Sequence, residues 1–310
     1  MEASSSRNQS EASGAPTAEV PADPDKLYGH WSCLGDPDEE GKPTALIIFS
    51  GRPREGDLRD HLLKLGWVVC CIDTAATTPA NLLDDGLWNC VKREISIGLY
   101  DAIWIATPCG TFSPLREKPP GPKPLRSLEH PAGLPKSQLT QSEQKQVKEA
   151  NILVDRSAEA AEAATQKGLP WGLENPDHGD GRLSIWVMPK IAKLRSGSDV
   201  TEVNFDQCRT GLSTTKPTKL LLHKLNLSEL DGKRCNHPVR EFIRADGSTY
   251  KSAHESTVQR WVTGPTGKRE RASRAQGEYT SEFSKAIAMA INQKAGKSWR
   301  KGQLSREPLP

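Results

Sequence analysis

Apolar residues in this chain fall into short continuous runs and longer stretches with helical spacing, and the two kinds alternate. Thr44 to Phe49 (Thr-Ala-Leu-Ile-Ile-Phe) is a continuous apolar run, the pattern of a strand buried on both faces. After the turn Ser50–Gly56, Leu58, Leu62, Leu63 and Leu65 predict a helix over Asp57–Leu65, which Gly66 ends. Trp67 to Ile72 is a second strand, finishing at Asp73. Asn81 to Trp88 reads as a loop or helix start. A helix over Val91–Leu99 then feeds a strand over Asp101–Ala106, which stops at Thr107-Pro108-Cys109-Gly110. A Pro-, Gly- and Lys-rich segment follows to Leu139, long enough to be a binding loop or lid. Thr140-Gln-Ser-Glu143 is a capping box opening a helix to Lys167, with Gly168 as its stop. A short strand then leads to Glu174-Asn175-Pro176. Leu183–Leu194 reads as a helix, Val200–Phe205 and Lys219–Leu222 as strands, and Ser281–Asn292 as a final helix.

Strand, turn, helix, strand thus occurs twice, which predicts an α/β fold: a doubly wound, Rossmann-like sheet with helices on both faces. In the first unit, a glycine-containing turn frees backbone N–H groups at a helix start, and Asp73 ends the second strand, where an acid can bind ribose hydroxyls. In the second unit, a right-handed crossover between neighbouring strands brings Cys109 and Glu174 to one edge of the sheet. Cys109 alone reads more readily as a packed thiol, because free cysteines are among the most buried residues, and only its company favours a nucleophile.

Composition adds boundaries. Hydrophobic residues make up 35% of the 310, with Gly 25 and Pro 23, so a core with irregular flanks is expected. Residues 1–43 hold nine acids against three bases and are expected to be disordered, with residues 44–292 as the folded domain. Residues 293–310 read as a basic disordered tail. Residues 264–310 hold ten bases against four acids, an excess that suits either a solvated tail or contact with phosphates. No apolar run approaches bilayer length and the N-terminus has no hydrophobic stretch, so a soluble intracellular protein is expected, in nucleus or cytoplasm. The seven scattered cysteines predict reduced thiols rather than a disulfide framework. Cys235-Asn-His237 and His254 have zinc-binding side chains, but a fourth ligand at a sensible spacing is missing, so no metal is expected. Arg116 and Arg126, in the long loop, suit either a phosphate or plain surface charge.

In its order of motifs the chain resembles the cytosine-5 DNA methyltransferase family, which uses S-adenosylmethionine. Phe49-Ser50-Gly51 is similar to the first motif, Asp73 to the ribose-binding acid and Asp85 to the acid that contacts adenine. Pro108-Cys109 with Phe112-Ser113 resembles the nucleophile motif, and Glu174-Asn175 the Glu-Asn motif. Gln207–Leu222 and Gly277–Ala288 resemble the later strand-turn-strand and the last motif, whose helix closes over the cofactor. The resemblance covers roughly residues 44–222 and 277–292.

It implies a methyltransferase sheet, an S-adenosylmethionine cofactor, and DNA rather than RNA as partner. Cys109 would be the nucleophile and Glu174 the carboxyl at the base. Phe49, Ser50, Gly51, Asp73 and Asp85 would hold the cofactor; Pro108, Ser113, Arg116 and Asn175 would hold the substrate. The chain departs from the pattern at Arg52-Pro53-Arg54, which replaces a glycine pair, and at Pro176. The family's paired arginines are replaced by the loosely placed Lys216 and Lys219. Residues 222–277 form a short irregular insertion where the family has a target-recognition domain. The alternative is a catalytically silent module of this fold, such as one carried by a mobile element, that binds nucleic acid or cofactor. A cysteine hydrolase would need a histidine partner in a recognisable motif, which the sequence lacks.

Overall fold

The computed structural model describes residues 32–34, 41–117, 121–177, 179, 181–244, 247–255, 261–263, 269–271 and 277–302. Its centre is a seven-stranded sheet of β1 (Ser32–Leu34), β2 (Thr44–Ile48), β3 (Val68–Ile72), β4 (Ala102–Ala106), β5 (Trp171–Pro176), β6 (Val200–Asp206) and β7 (Pro217–His223), in the order β1-β3-β2-β4-β5-β7-β6. β3, β2, β4 and β5 pair in parallel. β7 runs antiparallel between β5 and β6, and β1 is an antiparallel edge. The fold is therefore mixed α/β with a mostly parallel sheet.

Successive strand residues point to opposite faces, and both faces are covered. Leu46, Ile48, Ile72, Ile103 and Ile105 face α2 (Asp85–Ile97) and α3 (Gln141–Lys167), packing with Trp88, Val91, Ile95, Val154 and Ala161. Ala45, Ile47, Val69, Ala102 and Trp104 face α1 (Leu58–Lys64) and α5 (Ser281–Gly302), packing with Leu62, Phe283, Ile287 and Ile291. This two-sided burial explains why the central strands read as unbroken apolar runs.

The capping box of α3 is present as expected, with the Thr140 hydroxyl and the Glu143 carboxylate each accepting from the other's backbone N–H. Other boundaries differ. Asp84 caps α2, accepting from Leu87 N at 2.7 Å, so that helix starts six residues before Val91. The segment Leu183–Leu194 is broken. A 3₁₀ turn over Ile185–Val187 gives way to extended Met188, and Pro189 then opens α4 (Pro189–Arg195), because proline fits a first helical turn and not a helix interior.

Ser32–Leu34 lies within the N-terminal stretch expected to be disordered, yet pairs with β3. α5 extends to Gly302, ten residues into the expected tail. Residues 41–43 are also described; the rest of both termini lies outside the described residues. Within the irregular 222–277 region stand two antiparallel hairpins, β8 (Arg240–Ile243) with β9 (Thr249–Ser252) and β10 (Trp261–Thr263) with β11 (Arg269–Arg271). Cys70 is disulfide-bonded, against the expectation of reduced thiols, and Cys33 is its register partner on β1. No helix among the described residues is long and apolar enough to cross a membrane.

One core group titrates unusually. Glu94 on α2 is fully buried and accepts from the Tyr100 hydroxyl at 2.5 Å. Burial pushes its carboxyl up from 4.5 to about 7, against the pull of that hydroxyl. A raised folded-state pKa means stability that is complete below the unfolded value and lost as pH rises through the folded one. Wild-type melting temperature should therefore fall between pH 5 and pH 8, by the equivalent of at most about 3 kcal/mol. Glu94→Gln should flatten that slope in a pH series of thermal melts. Parallel slopes would mean that Glu94 is already ionised in the fold.

Candidate active site at the carboxyl edge of the sheet

The order of strands reverses between β2 and β4: β2 is followed in sequence by β3 on one side, while β4 lies on the other. Loops leaving the carboxyl ends of two such strands diverge and open a crevice. Here the crevice is a cleft of ≈ 440 Å³. Its walls come from the loop after β2 (Phe49–Gly51 and Arg54), the loop after β4 (Thr107–Cys109 and Ser113), Glu174 on β5, Lys216 before β7, and Tyr279 before α5.

The loop after β2 is held from behind. Asp73 Oδ2 accepts from Gly51 N at 3.0 Å and its Oδ1 from Ala75 N at 2.7 Å, so this acid lies behind the loop and not in the cleft wall. Gly51 has φ +72°. Arg54, in the stretch that departs from the family's glycine pattern, crosses the cleft. Its Nη2 donates to Tyr279 O at 2.5 Å and its Nε lies 3.4 Å from Glu278. Gly56 tightens the same junction, since a Cβ there would meet Ser281 Oγ at 2.7 Å.

The loop after β4 turns sharply, with Phe112 N donating to Cys109 O at 2.9 Å. Phe112 is buried, and the Arg126 guanidinium stacks 3.9 Å from its ring centroid. Arg126 also donates to Thr111 Oγ1, Pro131 O, Asn151 Oδ1 and Val147 O. Burial lowers its pKa to about 10. It is thus a buried staple of the long loop, neither a surface charge nor a phosphate ligand. Cys109 is left half-buried, facing the cleft. Burial pushes its thiol up; the nearby Lys216 ammonium opposes that rise, and the Glu174 carboxylate adds to it.

Glu174 is buried, and three groups converge on it. Tyr279 Oη–H donates to Oε2 at 2.9 Å, Gln207 Nε2 donates to Oε1 at 3.3 Å, and Lys216 Nζ lies 3.7 Å from Oε1. Gln207 also donates to Thr218 Oγ1 at 3.0 Å, and Trp104 Nε1 donates to Tyr279 Oη at 3.3 Å. Burial, then the Glu174 charge, raises the Tyr279 phenol well above its ordinary value, so it serves as a neutral donor. Trp104 reaches it because its neighbour across the sheet is Gly172: a Cβ at Gly172 would lie 2.3 Å from the indole ring.

Of the residues expected from sequence, Phe49, Ser50, Gly51, Pro108, Cys109, Ser113 and Glu174 share the cleft. Four others do not line it. Asp85, the first residue of α2, has a side chain 88% exposed and pairs with Arg156 of α3, outside the cleft. Asn175 is buried, donating to Thr107 O at 2.6 Å, and ties the ends of β4 and β5 together. Arg116 folds back onto Gly110 O and Lys123 O. Asp73 backs the loop as described.

Lys216 and Tyr279 line the cleft without having been given a site role from sequence, although Lys216 was noted as a loosely placed substitute for a family arginine. Tyr279 sat inside the stretch resembling the last motif. Lys216 carried one conformational signal invisible in sequence, a φ of 34°. Phe49 (φ 63°) and Lys216 are both strained and both line the cleft, as functional sites often are. Lys219 is different: it pairs with Asp177 and Glu202 outside the cleft.

The metal expectation also changes. Cys208, which follows Gln207, brings its Sγ to the ligand atoms of Cys235, His237 and His254, supplying the fourth ligand that spacing had not revealed. No family model matches the chain, and no curated protein matches it in sequence.

Proposed function

We propose that the protein is an S-adenosylmethionine-dependent methyltransferase acting on cytosine in DNA through Cys109, on a doubly wound Rossmann-like sheet. One observation carries the reading: a cysteine and a carboxylate from adjacent strands share a cleft with the glycine-containing loop at the sheet's switch point. Carbon five of cytosine is a weak nucleophile. Addition of the Cys109 thiolate at carbon six forms a C–S bond and makes carbon five enamine-like. The buried Glu174 carboxylate, fixed by Tyr279 and Gln207, faces ring nitrogen three of the base and stabilises the positive charge that the adduct carries there. Once carbon five has gained the methyl group, a water molecule takes its remaining proton and the C–S bond breaks, returning the Cys109 thiolate. S-adenosylmethionine supplies the electrophilic methyl group when bound. Phe49, Ser50 and Gly51 would hold its amino-acid end, with Asp73 one hydrogen bond behind. The adenine contact expected at Asp85 does not fit, so the adenine end would rest on other groups.

DNA as partner is supported by the β8–β9 hairpin, which exposes Arg240, Arg244 and Lys251 beside a stacked Phe242–Tyr250 pair. A base in duplex DNA must be flipped out to enter such a cleft. A cysteine hydrolase is less well supported, since no histidine lines the cleft among the described residues.

Titration calorimetry with S-adenosylmethionine tests the reading. Wild type should bind one equivalent. Gly51→Val, forcing a β-branched residue into positive φ, should weaken binding by about tenfold or more, whereas Asp85→Ala should stay within about twofold. Absence of heat with wild type rejects the methyltransferase reading. Heat without a covalent DNA adduct selects the silent module.

A further inference from the structure

We propose that Cys208, Cys235, His237 and His254 form a structural zinc site that fixes the β8–β9 hairpin to the sheet next to the cleft. The four ligand atoms lie within 4.8 Å of one another, with Cys235 Sγ 3.6 Å from His237 Nδ1 and 3.3 Å from His254 Nε2. Tetrahedral zinc with ordinary bond lengths requires ligand–ligand edges of about 3.8 Å for S–S, about 3.6 Å for S–N and about 3.4 Å for N–N. The two Cys235 contacts have that scale, and the remaining ligand atoms, within 4.8 Å, are about 1 Å or less from closing on one ion. Two thiols and two imidazoles are the soft and borderline donors of zinc, and no carboxylate stands among them to favour magnesium or calcium. Four protein ligands leave no open position, which makes the site structural.

The surroundings are built around the cluster. Asp206 accepts from Cys235 N at 2.7 Å and pairs with Arg234 at 3.5 Å, while Ser252 Oγ accepts from His254 N at 3.3 Å. Such contacts orient ligands from outside the first coordination sphere. The four ligands come from three places in the chain: the 3₁₀ turn Gln207–Thr210 after β6, the approach to β8, and the end of β9. His237 and His254 bracket the hairpin, whose strand residues are at most half-buried and share no hydrophobic cluster with the sheet. A metal supplies the anchorage that apolar burial does not. Cys208 also neighbours Gln207, which donates to Glu174, so the site holds one of the groups that fix the carboxylate.

The test is metal analysis of the full chain, expressed with zinc and purified under reducing conditions. About one zinc per chain is expected. Cobalt substitution should give tetrahedral d–d bands together with thiolate charge-transfer bands. His237→Ala is the preferred variant, because His237 is exposed and its loss leaves the core untouched. It should lower retained zinc severalfold after dialysis against a chelator and change the cobalt spectrum. Cys208→Ser should abolish both. Wild type without stoichiometric zinc under reducing conditions, or with a cobalt spectrum unchanged by either substitution, overturns the site. These readouts do not depend on methyl transfer: retained zinc in a protein that binds no S-adenosylmethionine would keep this site and reject the function proposed above.

Discussion

Cys109→Ala should bind S-adenosylmethionine as wild type does and form no covalent complex with DNA containing 5-fluorocytosine. The fluorine at carbon five blocks the proton loss that would release the thiolate, so a working nucleophile is trapped on its substrate. Cys109 is half-buried and faces the cleft, and its removal creates little cavity in the core. The cost in stability should stay within about 1 kcal/mol. Methyl transfer should fall by on the order of 1,000-fold or more, the scale on which loss of a nucleophile is felt. The resting thiol is pushed above its ordinary pKa by burial, and only the thiolate adds to carbon six. Trapping by wild type should therefore accelerate with pH, by about tenfold per unit below that pKa. Lys216→Ala removes the charge that opposes the rise and should slow trapping at every pH in this range. Denaturing gels of the adduct, run across a pH series, measure all three. Trapping by Cys109→Ala at the wild-type rate would show that the nucleophile lies elsewhere.

Glu174→Gln should lower single-turnover methylation by roughly 100- to 10,000-fold, the range for loss of a positioned acid or base. The amide is isosteric, but its environment is not neutral. Gln207 and Tyr279 both donate toward the carboxylate, so one face of the new side chain sets an N–H against another donor. That mismatch should cost about 1–3 kcal/mol of stability besides the chemistry. Tyr279→Phe removes one donor and keeps the carboxylate. As a positioning residue Tyr279 should change kcat by a smaller factor, and its loss should alter the pH profile of kcat, which a purely packing role would leave alone. Equal activity of Glu174→Gln and wild type would remove Glu174 from the reaction.

The central strands were legible because burial on both faces writes itself as unbroken apolar residues, as in Thr44–Ile48 and Ala102–Ala106. The capping box at Thr140 was legible because its two hydrogen bonds are local. Whatever depended on distant partners was not. Asp85 was given a role by motif order, but its direction is set by the cap at Asp84 and by Arg156 on another helix. Asn175 read as a substrate contact, and only the fold shows that one of its amide N–H groups binds Thr107 O on the neighbouring strand. Cys208 precedes Cys235 by a full strand and a turn, so no ligand spacing exposed it. Lys216 and Lys219 were equivalent in sequence, and only the backbone angle of Lys216 and its approach to Glu174 set it apart.

The clasp between Arg54 and the Tyr279 segment joins the beginning of the domain to its end. A chain leaving the ribosome has the loop after β2, Cys109 and Glu174 long before it has Tyr279 or α5. Until residues 277–291 emerge, Glu174 lacks one donor, Trp104 lacks the hydroxyl it binds, and the apolar face of β2 and β4 lacks Phe283 and Ile287. Contacts separated by some 225 positions form late, because loop closure must come before they contribute. A chain cut before Gly277 would therefore keep Cys109 and Glu174 on their strands while losing one of the donors that hold the Glu174 carboxylate and part of the apolar cover of the sheet.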